Sequence, residues 1–310
     1  LLDSFSVQGP NGTHTIFVQD LVGTPTALMR SLTRNAHRVL CHQLAQGLAD
    51  LHRNGIVHGG EFSLGNVGVA LPTLNEQLVE DIFSEEGHPE CTVILPRQWP
   101  SSPQTLPAYL VPAISIIDHL AMWDPTLHET RLRAQILDLG SAVLFGDQTR
   151  PFHTVSVVCA PEIVFEVAAH EIKPPPTQAA DIWSFACTIY HFVIGYPLFP
   201  SRCVQPNALL LGKLARFCGE VPRSWRGYWE SQKVLHDLTI SQEAADQAWD
   251  DMLRYLTTER KYTPLQERPT VAQVSELFQF LRFMLQMDPR RRPNAEQVLQ
   301  HPWFRAVGRP

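Results

Sequence analysis

Apolar positions along the chain change period several times, and each change marks an element. Leu2, Phe5 and Val7 alternate with polar residues, Gly9-Pro10-Asn11-Gly12 follows as a strong turn signal, and 15–18 supplies a second β-like run. Residues 1–22 therefore read as two strands and a turn. A bare hairpin is marginal in water, so this piece is expected to pack on something larger. From Ser31 to Asn54 the period becomes helical, with Leu40, Leu44, Leu48 and Leu51 on one stripe, Ser31 or Thr33 as N-cap and Asn54-Gly55 as the stop. Residues 134–137 read as a short buried strand. Asp181 opens a helix whose apolar residues run through Ile189, Phe192 and Ile194 to Gly195, with Pro197 beyond it. Residues 197–270 read as helices joined by turns, most periodic over 209–217 and 244–256.

Composition narrows the class without naming a function. The 310 residues are 44% hydrophobic and 18% charged, which suits a globular protein able to bury a core without disulfides or metals. A net charge of −6 gives no footing for general nucleic-acid or membrane-surface binding. The six cysteines show no CxxC spacing, so reduced thiols and a cytoplasmic or nuclear setting are expected. No apolar run approaches bilayer-spanning length, and no membrane association is expected. The chain opens on Leu1-Leu2-Asp3, with neither a Met nor a basic leader, and is expected to be a piece of a longer protein.

Candidate chemistry gathers in residues 56–69, IVHGGEFSLGNVGV, which follow the first helix, and in Ile136-Leu137-Asp138-Leu139-Gly140, at the end of the short strand. A carboxylate can orient a hydroxyl nucleophile, while an Asn amide oxygen and a second carboxylate can hold Mg²⁺ against the phosphates of a nucleotide. Further on come Ala160-Pro161-Glu162, Asp181-Ile182-Trp183-Ser184, and LQMDPRRRP over 285–293, followed by His301-Pro302-Trp303-Phe304.

Taken in order, these stretches resemble the large lobe of eukaryotic protein kinases. The resemblance implies an α+β, protein-kinase-like fold. Residues 1–23 would be a small-lobe remnant and hinge, and residues 24–308 a mostly helical large lobe with an insert at about 70–133. Hinge residues Asp20 and Val22 would bond adenine through their backbone, beside Gln19 as gatekeeper. No GxGxxG loop, strand Lys or partner Glu stands upstream of them. In the central loop, counting forward from His58 puts Gly60 at the catalytic-acid position; counting back from Asn66 puts Glu61 there. The second count is favoured because it keeps a carboxylate. The resemblance then assigns catalysis to Glu61, Asn66 and Asp138, with Asn66 and Asp138 as Mg²⁺ ligands and ATP as cofactor. His58 would support the metal loop from beneath. Asp181 would hold the central loop, and Glu162 and Arg292 would pair to tie the activation segment down.

Several positions depart from the family pattern. Glu61 is a methylene longer than Asp, Ser63 stands where a Lys is usual, and Gly59 replaces an Arg that reads a phosphorylated activation loop. Phosphorylation of the loop at 141–158, with Thr149, Thr154 and Ser156 as its hydroxyls, is therefore not the expected switch. The insert carries Glu76, Glu80, Asp81, Glu85, Glu86 and Glu90, with no Lys or Arg between His58 and Pro96. These acids are either a solvated face or a docking surface for Arg-rich segments. With 87–90 (Gly-His-Pro-Glu), 106–112 (LPAYLVP) and the opening 9–14 (GPNGTH), the insert resembles fungal kinases related to SR-protein kinases.

The function this implies is phosphoryl transfer from ATP-Mg to serine or threonine hydroxyls of a protein substrate. Arg/Ser-rich segments are the substrate chemistry that fits, and a monomer is expected. For these 310 residues by themselves little or no transfer is expected. A pseudokinase that binds partners is the alternative. A small-molecule kinase of the aminoglycoside type also uses a His-Gly-Asp and an Asn, but has no need of Glu162, Asp181 and Arg292.

Overall fold

The computed structural model describes residues 2–25, 32–59, 62–70, 90–98, 105–112, 132–147, 149, 155, 157–200, 207–259 and 269–305. Four small sheets and nine α-helices lie within these residues. The chain opens on the hairpin β1 (Asp3–Gly9) and β2 (Gly12–Val18), paired so that Gly9 faces Gly12 across the Pro10-Asn11 turn. Gly12 takes φ +119°, a conformation open to glycine at no steric cost. The expectation of a packed hairpin fails among the described residues. Both faces are exposed along nearly the whole length of both strands, including Phe5, Val7, Ile16 and Phe17.

The helix that follows, α1 (Arg34–Arg53), starts at Thr33, whose hydroxyl oxygen accepts from the Ala36 N–H at 3.2 Å. Ser31, the other candidate cap, lies outside the described residues. Asn54 closes the helix and Gly55 follows at φ +72°. One face of α1 is buried through Leu40, Leu44 and Leu48. On this helix His37 packs its ring against Phe192, and burial lowers its pKa.

Alongside α1 runs a three-stranded antiparallel sheet, in the order β3 (Val22–Gly23), β5 (Val67–Ala70), β8 (Arg133–Ile136). Gln43 of α1 stitches helix to sheet, donating to the Leu132 carbonyl at 3.2 Å and accepting from the Ala134 N–H at 2.7 Å. At Gly47 a Cβ would come within 2.9 Å of Ile136 Cδ1, so the glycine lets helix and strand close up. Strand β8 is half-buried rather than buried, because α1 covers one of its faces. The remaining strand pairs are β4 (Ile56–Val57) with β9 (Val143–Leu144), and β6 (Thr92–Val93) with β7 (Tyr109–Leu110).

The rest is helical: α2 (Pro161–His170), α3 (Gln178–Ile194), α4 (Asn207–Cys218), α5 (Arg226–Ser231), α6 (Lys233–His236), α7 (Gln242–Arg254), α8 (Val271–Met284) and α9 (Ala295–Leu299). Helix α3 is the axis of the core. A helix apolar on all sides belongs inside a large core, and here Ile182, Trp183, Phe185, Ile189 and Tyr190 are all sealed from solvent. Thr177 caps its start, accepting from Ala180 N–H at 3.1 Å, and Gly195 at φ +91° ends it. Around α3 the core is one continuous cluster reaching Phe280, which stacks on Trp303 at 4.8 Å. The architecture is α+β, with a helical lobe built on α3.

Candidate active site

Two backbone ladders bring the chemistry-bearing loops together. Strands β5 and β8 pair with Val67 opposite Ile136, and one step further the Leu137 N–H donates to the Asn66 carbonyl at 2.8 Å. Asn66, last residue of the 3₁₀ turn Leu64–Asn66, thus lies beside the residue that precedes Asp138. The second ladder, β4 with β9, joins the chain before His58 to the chain after Asp138. Between the ladders Asp138 sits in the left-handed region (φ 56°, ψ 64°), and its carboxylate caps the turn Leu139–Ser141 by accepting from Gly140 N–H at 3.3 Å. Asp tolerates this conformation better than most residues, and such strain collects at functional sites.

Asp181, in the first turn of α3, anchors the other side. It is fully buried, and its two carboxylate oxygens accept from the backbone N–H of His58 at 2.8 Å and of Gly59 at 3.3 Å. His52 Nε2 adds a third contact at 3.0 Å. A buried carboxylate is tolerable only when its lone pairs are used in this way. His58 itself is buried against Phe62, ring centroids 5.3 Å apart. Its Nε2 lies 3.1 Å from the Leu137 carbonyl, which can only accept, so Nε2 carries the proton. The loop is also tied from below, where Thr188 of α3 donates to the Phe62 carbonyl.

Gly59 has a steric reason. At φ +94°, a Cβ there would fall 2.1 Å from the Ser141 carbonyl oxygen, so the central loop touches the turn after Asp138 backbone to backbone. No side chain fits, an Arg least of all. Gly60 and Glu61, the two candidates for the catalytic-acid position, lie outside the described residues. So do Thr154 and Ser156; Thr149 donates its hydroxyl to Asp147 at 2.6 Å.

Val22 stands at the other end of the sheet, opposite Ala70, and Asp20 is exposed just before it. From Asn66 to Ala70 is four residues, roughly 13 Å at about 3.3 Å per residue. A Cβ on Gly68 would press within 3.0 Å of Val22 and 3.1 Å of Leu137, so this glycine lets Val22 and Leu137 approach the same strand.

Arg292 and Glu162 meet away from the loop. Their bond is bidentate at 2.8 and 2.6 Å, and Arg292 also donates to the carbonyls of Ala179 and Gln286, each at 2.9 Å, with its guanidinium over the Trp183 ring. The pair joins the start of α2 to the chain before α9. Ser184 adds a second tie, donating to the Val158 carbonyl at 2.9 Å.

Sequence reasoning assigned no role to His52, Ser184 and Thr188, which hold the loops from the core side. His52 lies in the last turn of a helix read as packing only, and nothing in its sequence context marks it. Among the described residues no cluster of three or more His, Cys, Asp or Glu could hold a metal by itself. An Asn with one carboxylate suits a cation that takes most of its ligands from water and phosphate, as Mg²⁺ does. Burial raises the thiol pKa values of Cys159 and Cys218 to about 12, which leaves them inert as nucleophiles at neutral pH. No helix among the described residues is long and apolar enough to cross a membrane.

A helical lobe whose axis grips one loop through a buried carboxylate, with Asn66 bonded to the residue before Asp138 at a sheet end, has a kinase-like architecture. The chain belongs to the protein kinase domain family, whose model matches residues 126–304. That match takes in Asp138, Glu162, Asp181 and Arg292 and begins after the central loop. Among relatives, the dual specificity protein kinase CLK4 of Mus musculus is 24% identical over 184 residues, 58% of this chain and 34% of that one. CLK1 of Homo sapiens, another dual specificity protein kinase, is 23% identical over 175 residues, 55% and 32%. Mitogen-activated protein kinase 11 of Oryza sativa subsp. japonica is 30% identical over 135 residues, 43% and 20%. The chain spans about a third or less of the length of these relatives. These likenesses support a eukaryotic protein kinase of the SR-protein-kinase-like kind.

Proposed function

We propose that the chain binds ATP with Mg²⁺ through Asn66 and Asp138 and transfers the terminal phosphoryl group to serine or threonine hydroxyls of a protein. The supporting observation is the Leu137–Asn66 backbone bond, which sets the two candidate metal ligands at one end of the sheet. The backbone at Asp20 and Val22 would then take the base at the other end. When bound, the metal would neutralise charge on the phosphates and draw electron density from the transferring group. The chain's own residues do the positioning. Asp181 fixes the loop through the N–H groups of His58 and Gly59, and Glu61 orients the hydroxyl and accepts its proton. In this reading residues 1–23 are a small-lobe remnant and hinge and residues 24–308 the large lobe. Arg/Ser-rich segments are the substrate chemistry an acidic insert would favour.

Transfer is slow in this reading. Glu61 is one methylene too long, and a displacement of about 1 Å can cost roughly a hundredfold where catalysis is positioning. Ser63 offers no cation for the phosphates. The same two substitutions favour a second reading, a pseudokinase that binds partners without transfer.

The experiment is a thermal-shift titration with ATP and Mg²⁺, paired with a transfer assay on Arg/Ser-rich peptides. Stabilisation by the nucleotide, lost in Asn66→Ala and Asp138→Ala, with transfer that rises at least tenfold in Glu61→Asp, is the expected result. Stabilisation without transfer in either form selects the pseudokinase. No stabilisation at all overturns the nucleotide site.

A further inference from the structure

On a different face, a cavity of about 740 Å³ opens between the start of α2, the turn at 221–226 and the segment 288–291. It is lined by four arginines and three carboxylates, and the pairing among them is uneven. Glu162 is taken by Arg292, Glu220 by Arg291, and Asp288 by both Nε and Nη2 of Arg290, at 3.0 and 2.7 Å. Every carboxylate at the cavity is thereby neutralised. Arg223 and Arg226 remain, exposed and without an acidic partner among the described residues.

Their position is fixed from beneath. Trp225 is buried between them, stacked on Phe165 at 4.5 Å and 9°, and its backbone N–H donates to the Pro222 carbonyl at 2.9 Å. Arg223 and Arg226 lie three residues apart on a helical turn, a spacing that puts side chains on one side. The turn is therefore a rigid base that carries two unneutralised guanidiniums over one cavity.

We propose that this cavity docks a single phosphorylated side chain of a partner protein. Two guanidinium forks present paired donors to the oxygens of a phosphate, a match a lone carboxylate fills only in part. A phosphoserine carries about −1.5 to −2 charges near neutral pH, close to the surplus of two. A chain charge of −6 works against an extended polyanion such as nucleic acid, which needs an unbroken row of cations. The site does not depend on the nucleotide reading above, since none of its residues belongs to the central or metal loops.

The test is fluorescence anisotropy of the whole chain, without nucleotide, using a degenerate peptide library centred on one phosphoserine. The same library with serine or glutamate at the centre, inorganic phosphate, and a short single-stranded DNA serve as comparisons. The expected result is binding of the phosphoserine library at least tenfold tighter than the serine and glutamate libraries. It should weaken at least tenfold in Arg223→Ala/Arg226→Ala while the thermal midpoint stays unchanged. Should that variant fail to fold, Arg223→Lys/Arg226→Lys, which keeps charge but loses the forks, is expected to weaken binding at least threefold. Four results overturn the proposal: no phosphoserine preference, no effect of the arginine substitutions, inorganic phosphate bound as tightly as the library, or DNA bound more tightly.

Discussion

The first hairpin and helix α3 both carry large apolar side chains, yet those of the hairpin stand in solvent and those of α3 in the core. Three polar side chains of α3 that enter the core each tie another segment to the helix. Asp181 grips the central loop, Ser184 the segment before α2, and Thr188 the Phe62 carbonyl. In β1–β2 the bonds of the backbone run from strand to strand, and Phe5 and Ile16 face each other with both faces exposed. The site owes its rigidity to contacts from the core side. Loops carrying Asn66 and Asp138 are referenced to a buried helix, while the first hairpin is locally held. Regions of few buried contacts open at lower free energy than the core.

The sharpest way to break this contrast is at Arg292. Arg292→Leu leaves the Glu162 carboxylate and two carbonyls without their donor, and removal of one side of a buried pair costs about 3–5 kcal/mol. Urea unfolding should show a loss of that size, with part of it regained in Arg292→Leu/Glu162→Leu. A loss under about 1 kcal/mol would mean that α2 is not tied to the core through this pair. A smaller effect is expected from Gly59→Ala, about 1–3 kcal/mol, because the Cβ meets the Ser141 backbone and the residue must hold positive φ. Gly146→Ala is the internal control, since φ is +89° there with open space around it; it should cost only about 1–2 kcal/mol. Hydrogen exchange at the His58 and Gly59 amides should quicken in the first variant and not in the second. The smallest effect belongs to the hairpin. Phe5→Thr with Ile16→Thr should move global stability by no more than about 0.5 kcal/mol; a larger loss would show that these side chains are buried against something in solution.

Much of this architecture is legible in local sequence. Thr33 and Asn54-Gly55 bound α1, the Pro10-Asn11 turn sets the hairpin, and Gly195 stops α3, because caps and turns are settled by residues near each other. What the sequence withheld depends on distant partners. Strand β8 reads as buried, but covering its second face is a tertiary matter. The hairpin reads as packed for the same reason. Gly59 reads as an Arg lost, whereas the Ser141 carbonyl shows it as the only residue that fits. For the site, order and spacing carry the resemblance, yet the roles of His52 and Thr188 follow from contacts over more than a hundred residues of chain, which no spacing rule records.

Asp181 settles how this molecule could be taken apart. Because both oxygens of one carboxylate are committed to consecutive amides of the loop, the loop cannot slide by a single residue along α3 without abandoning both. Exchanging whole loops between relatives should therefore succeed when the acceptor helix keeps this carboxylate at the same turn, and any graft that shifts it by one position would present every downstream side chain to the wrong neighbour.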